Sequence, residues 1–332
     1  MKILAAVIGM GIGEKHVEAI ENYNLSKVLI ICEKNKKKLK YLKKKYPKKI
    51  VTDNESLIFK NANINLVSIA SYDNFHFNQI LKCFKNNKNF IVEKPMCLTL
   101  LQLKKINQLL KKNKKVKMIS NLVLRTNSLF NFFKKNINRK DIFYIEADYL
   151  WGRIHKLFQW RSKVFNYSLT LGAGIHMIDL IMWLINEKPL KIYCTGNNIS
   201  TKNTNFKKKS FIIYLLKFKK NLVVKISVNA TAPHDHFHNV KIYQKNKTLV
   251  NSFNGKYLIY RSEKSNIIKN IKKNYPDKKN RKKLIRSFID YLLNKRSKSP
   301  ISHKEQIDLM SVCFFAEKSL KQNKELKISY LK

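Results

Sequence analysis

The sequence predicts an α/β protein: an N-terminal Rossmann-type, doubly wound parallel sheet, followed by a C-terminal α+β domain on an open antiparallel sheet. Three observations carry this. From the start to about residue 120, short β-branched runs alternate with helix-length segments, as βαβ crossovers require. Those runs are continuously apolar, which marks strands buried on both faces. Beyond that point the runs lengthen and alternate, which marks strands with one covered face.

The early strands are KILAAVIG (2 to 9), KVLIICE (27 to 33), NLVSIA (65 to 70), NFIVE (89 to 93) and VKMIS (116 to 120). Between the first two, the chain has room for one helix. After the second, Leu39, Leu42 and Tyr46 recur at helical spacing, so the lysines of 34 to 49 form the wet face of an amphipathic helix. The change of rhythm puts a boundary at 121/122, giving domains of 1 to 121 and 122 to 332. In the second, a helix over roughly 126 to 136 leads to strand-like 141 to 152, then a helix from Gly174 to Asn186. Alternating strands fill 190 to 260, joined by turn signals such as FKKN (218 to 221) and NG (254 to 255). The polar stretch 266 to 280 reads as a mobile loop, and helices over about 281 to 294 and 304 to 322 close the chain.

At 332 residues with 44% hydrophobic content, the chain can fill two cores. Its 68 Lys+Arg against 21 Asp+Glu give a formal +47, a balance that raises the question of nucleic acid. The surplus is almost all lysine and runs the length of the chain, so it reads as a solvated surface with no specific nucleic-acid partner. Cys32, Cys83, Cys97, Cys194 and Cys313 are far apart, odd in number and lack a CxxC pair, which implies neither a disulfide framework nor a zinc site. The N-terminus flows from its apolar run straight into glycines without a small-residue cleavage site, and nothing approaches the ~18 apolar residues of a membrane span, so a cytoplasmic protein is expected.

The first strand ends in Gly9-Met10-Gly11-Ile12-Gly13. Glycines at a strand-to-helix turn let the backbone approach a pyrophosphate, and the helix start offers N–H groups and a positive dipole end. The spacing departs from G-x-G-x-x-G: the third glycine comes one position early, with Glu14 where the last should be. At the end of the second strand, Glu33 would accept from an adenosine ribose and repel a 2′-phosphate, which favours NAD; Lys34, next in line, leaves NADP open.

Gly9, Gly11, Gly13 and His16, then 70 to 76 (ASYDNFH), then Glu93-Lys94-Pro95, then 172 to 179 (GAGIHMID), resemble in order and spacing the signatures of the Gfo/Idh/MocA oxidoreductases, relatives of glucose-fructose oxidoreductase and inositol 2-dehydrogenase. The resemblance runs the length of the chain. It implies a dinucleotide-binding first domain, with Gly9, Gly11, Gly13, Glu33, Ser71, His76 and Glu93 at the cofactor, and a second domain that binds substrate and oligomerises, as a homodimer or homotetramer. It implies that Lys94 points at the substrate hydroxyl, that Glu93 supports the site, and that Pro95 fixes a sharp exit, commonly through a cis bond.

The physics of the residues agrees in part. A lysine at the C-terminal edge of a parallel sheet lies where ligands bind, and partial burial lowers its pKa toward a useful range. His176 opens a helix with Asp179 three residues on, and a histidine beside a carboxylate suits a general base near neutral pH. By the resemblance, His176 takes the hydroxyl proton while Lys94 hydrogen-bonds the same oxygen. The expected reaction is reversible oxidation of a secondary alcohol on a sugar, sugar nucleotide or cyclitol. One departure matters: many family members carry an aspartate four residues before this histidine, and here the position is Gly172. A non-catalytic sensor on the same fold is therefore the alternative.

Arg125 and Arg153, with Asp179, Lys94 and His176, are the expected substrate contacts; His155 and Trp160-Arg161 lie with them around the entry to the second domain. Such cations and aromatics suit a polyol or an anionic sugar. His234, His236 and His238 fall on one face if their segment is a strand, either as polar lining of the substrate sheet or as a metal set; the family needs no metal and none is assigned.

Overall fold

A computed structural model describes residues 2–251, 256–262, 265–270 and 280–332. The chain divides into two compact units, Met1–Val123 with Lys279–Ile307, and Leu124–Lys278 with Asp308–Lys332.

In the first unit the chain runs β1 (Ile3–Ile8), α1 (Gly13–Glu21), β2 (Ser26–Cys32), α2 (Lys36–Lys45), β3 (Ile50–Thr52), α3 (Ser56–Lys60), β4 (Leu66–Ile69), α4 (Asp73–Lys85), β5 (Asn89–Val92), α5 (Leu100–Lys112) and β6 (Met118–Ser120). The six strands are parallel, in the order β3-β2-β1-β4-β5-β6. The order reverses between β1 and β4, and in such sheets ligands bind beyond the strand C-termini at this point. Burial explains the strand pattern: Ala5, Ala6, Val7, Leu66, Val67, Ile69, Phe90, Ile91 and Val92 all have no exposed surface. Local chemistry starts the helices, with Asn35 capping α2 through Lys38 N and Thr99 capping α5 through Gln102 N.

The second unit contains α6 (Ser128–Asn136), β7 (Ile142–Leu150), α7 (Ile175–Ile185), β8 (Lys191–Asn197), β9 (Phe211–Lys217), β10 (Val223–Asn229), β11 (Phe237–Gln244), β12 (Lys247–Asn251), β13 (Lys256–Ser262) and β14 (Ser265–Asn270). Next come α8 (Asn280–Leu292), which belongs to the first unit, α9 (His303–Gln322) and β15 (Leu326–Lys327). α8 packs on α1, with Tyr23 Oη donating to Asp290 at 2.6 Å and Lys282 paired to Glu18.

The second sheet has nine strands in the order β14-β13-β12-β11-β7-β10-β9-β8-β15. It is mixed where a purely antiparallel sheet was expected: β7 and β10 are parallel. A parallel pair needs a long crossover, and α7, β8 and β9 lie between these strands in sequence. One face buries Ile145, Ala147, Tyr149, Val224, Ile226 and Val228; the other carries exposed Phe143 and the Lys225–Glu146 pair at 2.7 Å. Of the stretch expected as a loop, 266 to 270 is strand, while 271 to 279 and the NG turn at 254 to 255 lie outside the described residues.

Candidate active site

The glycine turn sits at the end of β1. Gly9 has φ +83°, and a Cβ there would lie 2.6 Å from Ala70 O and from the Ser71 backbone, so both conformation and space require glycine. Gly13, although early in the spacing, does what a third glycine does: a Cβ would lie 3.0 Å from Val7 Cγ1, so it allows α1 to pack close on β1. Around Gly11 a Cβ would meet nothing within 4 Å among the described residues, which leaves open space on the turn. No side chain caps the start of α1.

Glu33 faces this turn, accepting from Met10 N and from Asn35 N, both at 2.9 Å. Lys34 is exposed. The lysine that reaches the turn is Lys38, one helical step beyond the Asn35 cap: it donates to the Met10 carbonyl and pairs with Glu14 at 3.3 Å. The open space at Gly11, the uncapped helix start and the carboxylate at the end of β2 together fit a dinucleotide.

At the end of β5, Glu93 is held by a network that no single stretch of sequence contains. His16 Nε2 lies 3.0 Å from Glu93 Oε1, His16 Nδ1 lies 2.7 Å from Ser68 Oγ, and Asn121 Nδ2 donates to Glu93 Oε1 at 2.7 Å. Burial pushes the Glu93 carboxyl up, but the hydrogen bonds from His16 and Asn121 and the charges of His16 and Arg281 outweigh it and hold the group far below the usual carboxylate range. An ionised Glu93 only accepts, so His16 carries a proton on Nε2. Among the described residues Asn121 Oδ1 is buried without a hydrogen-bond partner, an acceptor left over at the strand ends. The network fixes the turn that carries half-buried Lys94, whose bond to Pro95 is cis.

His76 is buried, its ring nitrogens 2.7 Å from Pro95 O and 3.0 Å from Ser71 O, so it ties the turn after β4 to the turn after β5. Ser71 Oγ donates to Gln79 Oε1 at 2.7 Å.

In the second unit an irregular turn over Thr170–Gly174 leads into α7. From Leu169 to Ile181 every residue is buried except His176. Asp179, one turn on, is bound by Arg125: Nη2 to Oδ1 at 2.6 Å and Nε to Oδ2 at 3.0 Å, both side chains almost fully buried. The structure thus joins two expected substrate contacts to each other.

The register of β7 against β11 sets Tyr149 opposite His238, and their rings stack at 4.2 Å. Tyr149 also meets His176 at 6.4 Å and His236 at 5.3 Å edge to face. The three histidines do not share a strand face as expected. β11 starts only at Phe237, leaving His234 exposed before it; there the chain passes so close to Gly152 that a Cβ at 152 would lie 1.9 Å from His234 O. His236 Nδ1 donates to the Trp151 carbonyl at 3.2 Å. Among the described residues no group of His, Cys, Asp or Glu has a metal-holding arrangement. His155 is exposed; Arg153 is half-buried.

Gly172 has a local reason. A Cβ there would lie 2.1 Å from Tyr167 Oη, so the buried phenol occupies the room an aspartate side chain would need.

Fold and site define a nucleotide-binding α/β protein of the Rossmann class with a second, sheet-based domain. The family comparisons agree: residues 3–121 match the model described as oxidoreductase family, NAD-binding Rossmann fold, and residues 141–250 match the Gfo/Idh/MocA C-terminal domain. The chain belongs to the Gfo/Idh/MocA oxidoreductase family. Comparison with curated protein sequences found no match. Among solved structures it is similar to myo-inositol 2-dehydrogenase from Lactobacillus plantarum, at 16% identity and a TM-score of 0.84, covering 99% of this chain and 100% of that one. It is similar also to scyllo-inositol dehydrogenase from Lactobacillus casei, solved with NAD(H) and scyllo-inositol, at 17% identity and a TM-score of 0.82, covering 98% and 99%. At these identities the likeness is one of fold. Among the described residues no helix is long and apolar enough to cross a membrane.

Proposed function

We propose that the protein is a nicotinamide-dependent dehydrogenase that reversibly oxidises a secondary hydroxyl of a sugar, sugar nucleotide or cyclitol, with NAD(H) preferred. The observation that carries the reading is the turn after β5: an ionised, mostly buried Glu93, locked by His16 and Asn121, holds the backbone that presents Lys94. The family membership and the inositol dehydrogenase fold relatives support it.

Gly9, Gly11 and Gly13 would hold the pyrophosphate at the start of α1, and Glu33 the adenosine ribose. Lys38, beside that carboxylate, keeps a 2′-phosphate in play. Ser71 and His76 shape the wall of the turn after β4. A bound nicotinamide supplies the hydride acceptor. In this reading Lys94 donates a hydrogen bond to the substrate hydroxyl oxygen, and His176 removes its proton. General acid-base assistance of this kind is worth ~10²–10⁴ in rate. Arg125 secures Asp179 and so the first turns of α7, on which His176 stands.

The test is fluorescence titration with NADH and NADPH at moderate and then high salt, which strips out charge-driven binding. Saturable, salt-resistant NADH binding tighter than NADPH supports the reading. Binding of neither overturns it. The second reading, a binder without turnover, is favoured by Gly172, since Tyr167 fills the room that the aspartate of many family members would need. It predicts dinucleotide binding with no reduction of NAD⁺ across a polyol and sugar panel.

A further inference from the structure

Three cations of the second unit, Arg153, Lys156 and Arg161, lie together in the short turn after β7, and among the described residues no acid balances them. Lys156 N donates to Arg153 O at 3.0 Å in a tight turn, and Arg161 Nη1 reaches the Lys156 carbonyl at 3.4 Å. The Arg161 guanidinium lies over Trp160 at 4.3 Å, Trp151 at 5.4 Å and Tyr167 at 6.0 Å from the ring centres. Among the described residues none of Arg153, Lys156 and Arg161 forms an ion pair, and Arg161 Nε is buried without an acceptor. Asp235, beside His236 in sequence, is exposed and pairs with none of them.

The electrostatics report the same proximity. Burial, then the charges of Arg153 and Arg161, lower Lys156; burial, then Arg153, push His236 down to about 4, with Lys156 adding and the Trp151 hydrogen bond opposing. The cluster is contiguous with the catalytic candidate: Trp151 holds His236, His236 meets Tyr149, and Tyr149 meets His176. Gathering like charges on partly buried apolar surface is costly, and an anion that accepts their free N–H groups offsets that cost.

We propose that Arg153, Lys156 and Arg161 form an anion subsite, and that the substrate is a sugar bearing a carboxylate or phosphate rather than a neutral polyol. This rests on the dehydrogenase reading for its place beside His176, but not for its existence. Trp160, the half-buried ring beside Arg161, provides an apolar face for the sugar ring, while the cations take its charged group.

The test compares D-glucuronate, glucose 6-phosphate and D-glucose, which differ at one carbon, by isothermal titration at moderate salt. Because the chain carries +47, any anion is attracted to it weakly. Lys43→Gln, an exposed α2 lysine, is therefore the charge-matched control for Lys156→Gln and Arg161→Gln. The expected result is at least roughly ten-fold tighter binding of one anionic sugar than of glucose. That preference should fall by about the same factor in Lys156→Gln and Arg161→Gln, stay unchanged in Lys43→Gln, and leave glucose unaffected. Which anion wins separates a uronate from a sugar phosphate. Should Arg161→Gln lose its fold with its aromatic packing, Lys156→Gln carries the comparison. Equal affinities, no saturable anion binding, or a preference that survives Lys156→Gln would each overturn the subsite. Anion preference without binding of NADH or NADPH would remove the dehydrogenase reading and keep the subsite; reduction of NAD⁺ with a neutral polyol and no anion preference would do the reverse.

Discussion

His16 Nε2 and Glu93 Oε1 meet at 3.0 Å, 77 residues apart in sequence, with the His16 ring wholly buried and the carboxylate nearly so. The pair couples the first helix after the glycine turn to the turn that carries Lys94. Removing one member leaves a buried charge without its main partner. His16→Ala should therefore cost about 3 kcal/mol in urea unfolding, and a double cycle with Glu93→Gln should recover part of it. A loss below about 0.5 kcal/mol would show that the pair is not holding the turn.

Tyr167 and Gly172 are a second coupled pair. With a Cβ at 172 only 2.1 Å from Tyr167 Oη and 2.5 Å from Cζ, Gly172→Ala forces the ring out of a packed site and should cost about 1–3 kcal/mol. In a Tyr167→Ala background the same change should cost little, because the ring is gone. Additive losses across the cycle would mean that the phenol is not what excludes a side chain there.

Which features were legible in the sequence follows from what each depends on. The parallel strands show because burial on both faces leaves an uninterrupted apolar run, as in Leu66 to Ile69. β3 does not show: Ile50–Thr52 is a three-residue edge strand, partly exposed, and carries too little apolar pattern. The glycine turn and the Glu-Lys-Pro turn are local motifs and could be read directly. Ser68, in β4, and Asn121, just past β6, complete the Glu93 network, and that they meet His16 and Glu93 needed the fold. The same holds for Gly172, whose cause is a tyrosine five residues back, folded onto it by an irregular turn. Arg125 and Asp179 were each visible as candidates; that they bind one another needed the fold.

The proton-handling assignment makes a kinetic prediction. Lys94→Ala and His176→Ala should each lower kcat/KM by ~10²–10⁴ on whichever sugar is turned over, while the NADH dissociation constant changes little. Stopped-flow rates with NAD⁺ and fluorescence titration with NADH measure the two quantities separately. Near-normal turnover in Lys94→Ala would remove that residue from the chemistry, and a parallel loss of NADH affinity would assign it to cofactor binding instead.

The buried histidines of the second unit make a prediction about pH and stability. Burial pushes His236 down to about 4 from an ordinary 6.5, and burial with the charges of His236, His176 and Arg153 pushes His238 well below that ordinary value. In the unfolded chain both take up protons as the pH falls below 6.5, while in the fold they do not. The unfolded state then binds more protons, so stability rises with pH. The contribution is complete above 6.5 and is lost progressively as the pH falls toward 4. Glu93 and the other carboxylates held below their ordinary 4.5 add their loss around and below that value, and buried Glu317, pushed up from it, opposes the slope just above, so the upper part of the interval toward 6.5 belongs to the histidines, His303 among them. Melting curves across that interval should slope downward with acid in the wild type. The slope should be shallower in His236→Asn, which cannot charge. An equal slope in the variant would mean that Arg153, Lys156 and burial do not keep His236 neutral.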